Sequence, residues 1–300
     1  MIELINKIKR VFKCQSRRFE YELSKKISNN WFDHVRFKRS TGRKLNYKNP
    51  IYLNDKLFWL NKYWQSPLKI KCADKFLMHE YLKEKGLSHL SVPLLGVWKN
   101  ADEIDFESLP NQFVLKCNHG CGFNIICHNK NNIDIEDTKN KLNRWLKIDY
   151  GKVSNEYHYS KIKPLIIAET YLEQVDKGTM VDYKLYCING NPICFLVCRE
   201  REIGKVKFSS YSPTWDRLNY FDNEDPITIQ APNCLGELIK YSEILSQDFP
   251  FVRLDYYILN HYQNYLGEFT FTPYGNTIEY YKDSFLLEYG KLLKLPSIKD

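Results

Sequence analysis

Residues 252–273 read VRLDYYILNHYQNYLGEFTFTP, and this stretch decides the fold class. Residues 252–259 and 265–272 are rich in aromatic and β-branched residues, and the polar segment 260–264 between them predicts an antiparallel hairpin. Because paired positions in a hairpin share a constant sum, a turn centred near residue 262 places Asp255 opposite Glu268 or Phe269. Two carboxylates then project from neighbouring strands.

Each of these carboxylates stands inside an otherwise apolar strand. An unpaired carboxylate is costly to bury. A divalent cation such as Mg²⁺, held by a few carboxylates together with nucleotide phosphates, would offset that cost. Alternatively, both side chains lie on the solvent face of an alternating strand, as antiparallel strands allow. The pair alone leaves both interpretations open.

A second hairpin carries a glycine-bearing loop. Residues 112–117 (QFVLKC) and 123–128 (FNIICH) read as strands joined by NHGCG at 118–122. Glycines let backbone N–H groups approach phosphate oxygens, and Lys116 supplies positive charge beside the loop. The unit indicates a phosphate cradle, although it lacks the Walker pattern, and an ordinary hairpin turn is the competing interpretation. A zinc site is disfavoured because the cysteines and histidines here lack CxxC-type spacing.

The remaining elements are predicted from periodicity and turn signals. We expect helices at 73–86, 135–148 and 235–245 and strands at 91–97 and 165–172. Residues 182–199 contain Asn189-Gly190 between apolar runs, which is a strong hairpin signal. Hairpins mixed with helices favour an α+β fold with antiparallel sheets over a Rossmann sheet.

Positive charge is concentrated at the N-terminus. The 300 residues carry a net charge of +8, but residues 1–50 hold 14 Lys+Arg against 4 Asp+Glu, and the rest hold 30 against 32. Apolar residues from Met1 to Phe12 recur at helical spacing among the basic ones, which predicts a basic amphipathic helix. Such a helix either lies on an anionic membrane surface as a peripheral anchor or packs on the protein's own core. No nucleic-acid module accompanies the charge, so nucleic acid is not an expected partner.

Composition predicts a cytoplasmic globular protein. With 43% hydrophobic residues the chain can bury a sizeable core. No window approaches 18 uninterrupted apolar residues, and the N-terminus lacks the pattern of a secretory signal. The nine cysteines are odd in number and scattered, as a reduced compartment permits. The inner face of the cell membrane is the alternative location.

Seven motifs, taken in order, resemble a known family. They are ADKFLMHEYLKEKG (73–86), VPLLGVW (92–98), LPNQFVLKCNHGCGFNIIC (109–127), IIAETYLE (166–173), DYKLYCINGNP (182–192), DFPFVRLDYYI (248–258) and GEFTFTP (267–273). Over roughly residues 50–296 they resemble the TupA-like branch of the ATP-grasp enzymes, named for teichuronopeptide synthesis.

The resemblance implies an α+β ATP-grasp fold, in which two α+β subdomains with antiparallel sheets clamp ATP. A basic helical segment at 1–50 would precede an N-terminal subdomain at 51–110. The ATP-grasp subdomains would occupy 111–300, with a lid at about 111–170 and a C-terminal core at about 171–296.

The resemblance also implies roles for individual residues. Mg²⁺ would be held by Asp255, Glu268 and Thr270. ATP would be bound by Lys75, Lys116, the lid residues His119, Gly120, Cys121 and Gly122, the adenine-side residues Glu169, Tyr171 and Leu172, and Asp176 at the ribose. Arg253, Lys184 and Asp182 would line the reacting end, where Arg253 stabilises the transferring phosphoryl group. Two features depart from the wider family pattern: Thr270 replaces a common Asn, and the lid reads HGCGF rather than HGSGG.

The implied activity is ATP-dependent carboxylate–amine ligation through an acyl phosphate. The implied substrates are a uronic-acid-containing sugar nucleotide or capsular polysaccharide and a small amine, either an amino acid or an amino alcohol. The basic N-terminus is compatible with an acidic glycan. A glycosyltransferase of polysaccharide biosynthesis is the alternative, but the chain has no DxD motif for a nucleotide-sugar metal.

Overall fold

A computed structural model describes residues 29–172, 181–199, 206–221, 224–260 and 262–297. Two sequence predictions lie outside these ranges: the amphipathic helix from Met1 to Phe12, and Asp176 as a ribose contact. Within the described ranges, no helix is both long enough and apolar enough to cross a membrane.

Four α-helices precede the first strand of the described chain. They are α1 (Asn29–Thr41), α2 (Leu53–Tyr63), α3 (Pro67–Ala73) and α4 (Met78–Glu84). The helix predicted over 73–86 is present but starts later: α4 covers Met78–Glu84, Ala73 ends α3, and the predicted stop at Gly86 is confirmed by a left-handed φ of 71°.

Asp74 separates α3 from α4. Its Oδ1 accepts hydrogen bonds from the backbone N–H groups of Phe76 at 2.8 Å and Leu77 at 3.3 Å. The same oxygen accepts a hydrogen bond from Asn118 Nδ2 at 2.8 Å. A short acidic side chain that bonds nearby backbone N–H groups competes with helix continuation, so α3 ends before Asp74 and the predicted helix begins only at Met78.

The smaller of two sheets is antiparallel, with the strand order β1-β4-β2-β3. Its strands are β1 (Leu94–Trp98), β2 (Phe113–Cys117), β3 (Asn124–Cys127) and β4 (Ile166–Thr170), and α5 (Ile135–Leu146) and α6 (Tyr150–Ser154) lie between β3 and β4 in sequence. Leu115, Leu142 and Ala168 are fully buried in the core that this sheet shares with α5. The predicted 112–128 hairpin is confirmed by the pairing of β2 with β3.

The larger sheet is also antiparallel, with the order β10-β9-β5-β6-β7-β8. Its strands are β5 (Asp182–Ile188), β6 (Asn191–Arg199), β7 (Lys207–Tyr211), β8 (Arg217–Leu218), β9 (Phe251–Leu259) and β10 (Gln263–Thr270). The predicted turn joins β5 to β6, with φ of 48° at Asn189 and 81° at Gly190, as a two-residue hairpin requires.

Helices cover both faces of the larger sheet. Helix α7 (Leu235–Ser246) packs on one face through Leu238 and Leu245. Helices α2 and α8 (Asp283–Leu292) pack on the other through Leu57 and Phe285. The described chain is therefore α+β with two antiparallel sheets, as predicted.

Candidate active site

The hairpin of β9 and β10 brings the two predicted metal carboxylates together. Backbone pairing puts Glu268 directly opposite Asp255, and Thr270 opposite Arg253. A β-bulge between Leu266 and Glu268 produces this register, because the pairs on its two sides differ by one residue. The predicted juxtaposition of Asp255 and Glu268 is confirmed.

Strand β5 adds two charged side chains to the same face. Lys184 pairs with Asp255 on the side away from β10, so Lys184, Asp255 and Glu268 form one row across three strands. Lys184 Nζ lies 2.8 Å from Asp255 Oδ2 and 3.5 Å from Asp182 Oδ2. Asp182 shares this face because side chains two residues apart in a strand point the same way.

Arg253 forms a bidentate ion pair with Asp255. Its Nε donates to Asp255 Oδ1 at 2.6 Å, and its Nη2 donates to Asp255 Oδ2 at 2.7 Å. Nη2 also donates to Thr270 Oγ1 at 3.2 Å. Thr270, predicted as a metal ligand, is thus placed as a partner of Arg253.

Lys75 links the larger sheet to the loop between β2 and β3. Its Nζ donates to Glu268 Oε1 and to the Gly120 carbonyl, both at 2.9 Å. Its backbone N–H also donates to the Asn118 carbonyl at 3.3 Å. One ammonium group therefore joins the predicted phosphate loop to a predicted metal carboxylate.

Lys116 and Glu169 form an ion pair on the smaller sheet, between strands β2 and β4. Both side chains are largely buried, at 16% and 7% exposure. Tyr171 and Leu172 follow β4 at the start of the connection to β5, and the Tyr171 ring packs edge-on against His128. The structure brings Glu169 to Lys116, whereas Tyr171 and Leu172 lie just beyond the strand.

The loop at 118–122 combines an anchored base with an open tip. His119 is 2% exposed, and its Nε2 lies 3.1 Å from the Ile148 carbonyl, so its side chain is buried at the base of the loop. A Cβ at Gly120 would come within 2.8 Å of the Tyr150 ring. Cys121 is exposed, and Gly122 has a φ of 78° with open space around it. The tip of the loop is therefore open to solvent, whereas its base is packed.

The charges at the site balance one another. Burial alone would lower the pKa of Lys75, but Glu268 raises it above its ordinary value. Burial alone would likewise raise the pKa of Asp255, but the adjacent Arg253 and Lys184 hold it below its usual range. The pKa of Lys184 is raised by Asp255 against its own burial. Lys75 and Lys184 therefore stay protonated, and Asp255 stays ionised, at neutral pH.

Sequence reasoning missed Tyr159, whose hydroxyl donates to Glu268 Oε1 at 3.3 Å. Tyr159 is 3% exposed and lies in the short turn Tyr157–Lys161, more than one hundred residues before Glu268. No local sequence pattern marks a tyrosine that contacts a strand so far along the chain.

The carboxylates provide an incomplete metal site. Among the residues that the structure describes, no group of three or more His, Cys, Asp or Glu side chains could hold a metal ion. Asp255 and Glu268 nevertheless offer hard oxygen donors from directly paired positions, where Cβ atoms lie about 4.5–5.5 Å apart. Mg²⁺ binds through one or two carboxylates plus substrate phosphates. The donor set therefore fits Mg²⁺ that arrives with a nucleotide.

Two antiparallel sheets in an α+β chain, with Lys75 joining the glycine loop to the paired carboxylates, match the ATP-grasp arrangement that the sequence predicts. The TupA-like ATP-grasp family model matches residues 55–294, and the chain belongs to this family. A search of curated proteins gives no match.

Solved structures similar to this chain include ligases and synthetases. An L-amino acid ligase from Bacillus licheniformis is 15% identical, with a TM-score of 0.50, over 84% of this chain and 58% of that one. A D-alanine–D-alanine ligase from Bacillus anthracis complexed with ATP is 14% identical, with a TM-score of 0.45, over 74% of this chain and 66% of that one. An N5-carboxyaminoimidazole synthetase from Staphylococcus aureus complexed with ADP is 16% identical, with a TM-score of 0.44, over 75% and 53%. The chain thus spans about half to two thirds of the length of these proteins.

Proposed function

We propose that the protein is an ATP-dependent carboxylate–amine ligase whose active site lies between the two sheets. The observation that carries this proposal is the row Lys184, Asp255 and Glu268, joined by Lys75 to the glycine loop. A loop that can bind phosphates and a pair of carboxylates that can bind Mg²⁺ meet at one lysine. Family membership favours ligation over glycosyl transfer.

Each cationic side chain would change partner when ATP binds. Lys75, Lys184 and Arg253 hold carboxylates in the structure, and phosphate oxygens would be alternative anionic partners for them. Asp255 and Glu268 would then be free to hold Mg²⁺, which supplies charge neutralisation at the phosphates. Because the cations repel Mg²⁺ and the carboxylates repel ATP, we expect the two ligands to strengthen each other's binding.

Residues on the smaller sheet would hold the nucleotide body. Lys116 lies between the loop and Glu169, so it would meet the phosphates, while the backbone at 169–172 would meet the adenine edge. The loop tip at 120–122 would close over the phosphates and exclude water. Because the smaller sheet and its loop would cover the nucleotide, we propose that residues at about 111–170 form the lid and residues at about 171–296 form the core.

The reaction would proceed in two transfers. A substrate carboxylate oxygen bonds to the γ-phosphorus of ATP as the bond to ADP breaks, which gives an acyl phosphate. The amine nitrogen then bonds to the acyl carbon, and phosphate leaves with the proton that the amine loses. Arg253 and Lys184 would neutralise the charge on the transferring group, and Asp182 would orient Lys184. No protein nucleophile is needed.

For substrates we propose a uronic acid, carried on a sugar nucleotide or a capsular polysaccharide, and a small amino acid or amino alcohol. The resemblance to teichuronopeptide-type enzymes suggests this class. The basic N-terminal region supports it, since α1 exposes Lys38 and Arg39 and also Trp31, which is 39% exposed. The same surface could bind an anionic membrane that carries the glycan precursor.

The test is ADP release from ATP and Mg²⁺ with a panel of amines, with and without UDP-glucuronic acid or a glucuronate oligosaccharide. We expect ADP when both co-substrates are present and little with either alone. Glu268→Gln should lose the activity, whereas Glu224→Gln should retain it, because Glu224 contacts Ser210, Arg217 and the Tyr220 backbone at the edge of the larger sheet opposite β10. ADP release that ignores both co-substrates, or that persists in Glu268→Gln, would contradict the proposal.

A further inference from the structure

Helix α1 precedes the matched family region, which begins at residue 55, yet it contributes a side chain close to the candidate site. Arg36 Nη1 donates to the Ser154 carbonyl at 2.6 Å. Its Nη2 lies against Gly275, where an added Cβ would come within 1.7 Å of that nitrogen. The guanidinium therefore lies between the C-terminal end of α6 and the turn at 273–276.

Each of these two segments is connected to Glu268. After Ser154, the chain continues into Tyr157–Lys161, which carries the Tyr159 hydroxyl that donates to Glu268. Gly275 belongs to Pro273–Asn276, the turn that directly follows β10 and hence follows Glu268 by only a few residues. Arg36 thus contacts the two segments that approach this carboxylate from opposite directions in the sequence.

A second contact joins the same turns. Thr272 Oγ1 donates to Glu156 Oε2. Burial raises the pKa of Glu156, and the Arg36 charge acts against that rise. The Arg36 charge therefore lies near the Glu156–Thr272 contact that follows β10.

The turn after β10 needs such support, because its backbone is unusual. Tyr274 and Asn276 have left-handed φ values of 52° and 70°. Non-glycine residues in this region persist when the surroundings hold them there. Arg36 fits against the glycine between these two residues, where any larger side chain would displace it.

Helix α1 is itself fixed near Arg36. Asp33, one turn earlier, is 1% exposed and accepts hydrogen bonds from Tyr47 Oη at 2.5 Å and from Asn155 Nδ2. Asn155 also accepts a hydrogen bond at its carbonyl from Asn61 Nδ2 at 2.8 Å. The helix that presents Arg36 is therefore tied to the segment that it contacts.

We propose that Arg36 is a positioning residue of the ligase site: it joins the 154–161 segment to the 273–276 turn and thereby fixes Glu268 for Mg²⁺. This inference rests on the proposed function, because it assumes that Glu268 binds the metal. Lysine would replace it poorly, since one ammonium cannot span two turns as a planar guanidinium does.

The test compares Arg36→Leu, Arg36→Lys, Gly275→Ala and the double variant Arg36→Leu/Gly275→Ala. Calorimetry measures ATP affinity at a series of Mg²⁺ concentrations, and the first readout is the Mg²⁺ concentration that gives half of the maximal increase in affinity. The second readout is the midpoint of urea unfolding, which reports stability. We expect Arg36→Leu to raise that Mg²⁺ concentration about fivefold to tenfold and Arg36→Lys to recover part of the loss.

Gly275→Ala should weaken Mg²⁺ binding in the wild type and add little in the Arg36→Leu background, because the clashing guanidinium is gone. Gly86→Ala is the matched control, since Gly86 has a φ of 71° with nothing within 4 Å of an added Cβ. Its effect should be the same in both backgrounds.

An Arg36→Leu variant with a lowered urea midpoint but unchanged Mg²⁺ dependence would overturn this inference and leave the proposed function standing. A wild type whose ATP binding ignores Mg²⁺ would overturn both.

Discussion

The two sheets differ in how their charged side chains are connected. On the smaller sheet Lys116 contacts Glu169. On the larger sheet Asp255 contacts both Arg253 and Lys184, and Lys184 also approaches Asp182. An isolated ion pair can exchange one partner for a ligand without affecting other side chains, whereas the loss of one member of a charged network affects the energies of all the others. We therefore expect substitutions on the smaller sheet to affect nucleotide affinity, and those on the larger sheet to affect turnover and stability together.

The largest effect is expected for Asp255→Asn. Turnover should fall about 10²- to 10³-fold, and the free energy of unfolding should fall by about 3 kcal/mol, because Arg253 and Lys184 would keep buried charges without their carboxylate. ADP release and urea unfolding measure the two effects.

Asp225→Asn is the matched control for that variant. Asp225 is a buried partner of Arg199, so its replacement should lower stability while turnover survives. Equal losses of turnover in the two variants would show that stability alone explains the Asp255 result.

The stability difference between wild type and Asp255→Asn should depend on pH. Arg253 and Lys184 lower the pKa of Asp255 in the folded protein despite its burial. The ionised carboxylate therefore stabilises the fold fully above the ordinary pKa of 3.8, and the contribution is lost as pH falls through the lowered value. Unfolding at pH 7 and at about pH 3 should show a gap that narrows in acid, and a constant gap would contradict the assignment.

Glu268→Gln should separate turnover from stability. Its side chain is 20% exposed and Lys75 keeps the Gly120 carbonyl as a partner, so the loss of stability should be smaller than for Asp255→Asn, about 1–2 kcal/mol. Turnover should still fall about 10²-fold. Steady-state ADP release and thermal unfolding of the same preparation provide the comparison, and an active, stable variant would remove Glu268 from the site.

Lys116→Met tests the smaller sheet. We expect ATP affinity to weaken about tenfold, which corresponds to about 1.4 kcal/mol, while turnover at saturating ATP changes by less than about threefold. Lys141→Met is the control, because Lys141 pairs with Asp137 on the exposed face of α5. A large loss of turnover in Lys116→Met would contradict the prediction that substitutions on the smaller sheet affect mainly nucleotide affinity.

Lys69 is expected to affect stability alone, and only through its pH dependence. It is 1% exposed, its Nζ donates to the Trp64 carbonyl at 3.2 Å, and burial lowers its pKa to about 7. Between pH 7 and its ordinary pKa of 10.5, the unfolded chain binds a proton that the folded chain lacks, so stability should rise with pH.

Lys69→Met should reduce this slope by up to about 1.4 kcal/mol per pH unit. Urea unfolding at pH 7.5 and 9 would detect the change. Parallel slopes in wild type and variant would mean that Lys69 stays protonated throughout.

Local patterns predicted the hairpins of this fold well. Asn189-Gly190 indicates a turn because both residues readily adopt positive φ values. The alternation around Asp255 and Glu268 predicts the partner of Asp255 to within one residue. The bulge beside Gly267 then selects Glu268 as the partner. Gly267 lies so close to the Tyr257 ring that an added Cβ would come within 2.4 Å of it, a contact between strands that a sequence pattern does not reveal.

Features that depend on distant contacts could not be predicted. The break at Asp74 requires Asn118, the burial of His119 requires the Ile148 carbonyl, and Tyr159 reaches Glu268 across the fold. Strands β7 and β8 lie in a polar, aromatic-rich stretch without clear alternation. In each case tertiary partners decide the local conformation.

The most direct test of the central claim, that ATP and Mg²⁺ jointly replace the cation–carboxylate contacts, is a calorimetric titration of ATP with and without Mg²⁺. In the wild type we predict that Mg²⁺ strengthens ATP binding at least about tenfold, and that Glu268→Gln abolishes the enhancement while metal-free binding persists. ATP that fails to bind the wild type with Mg²⁺ present, or an enhancement of equal size in both proteins, would contradict the account.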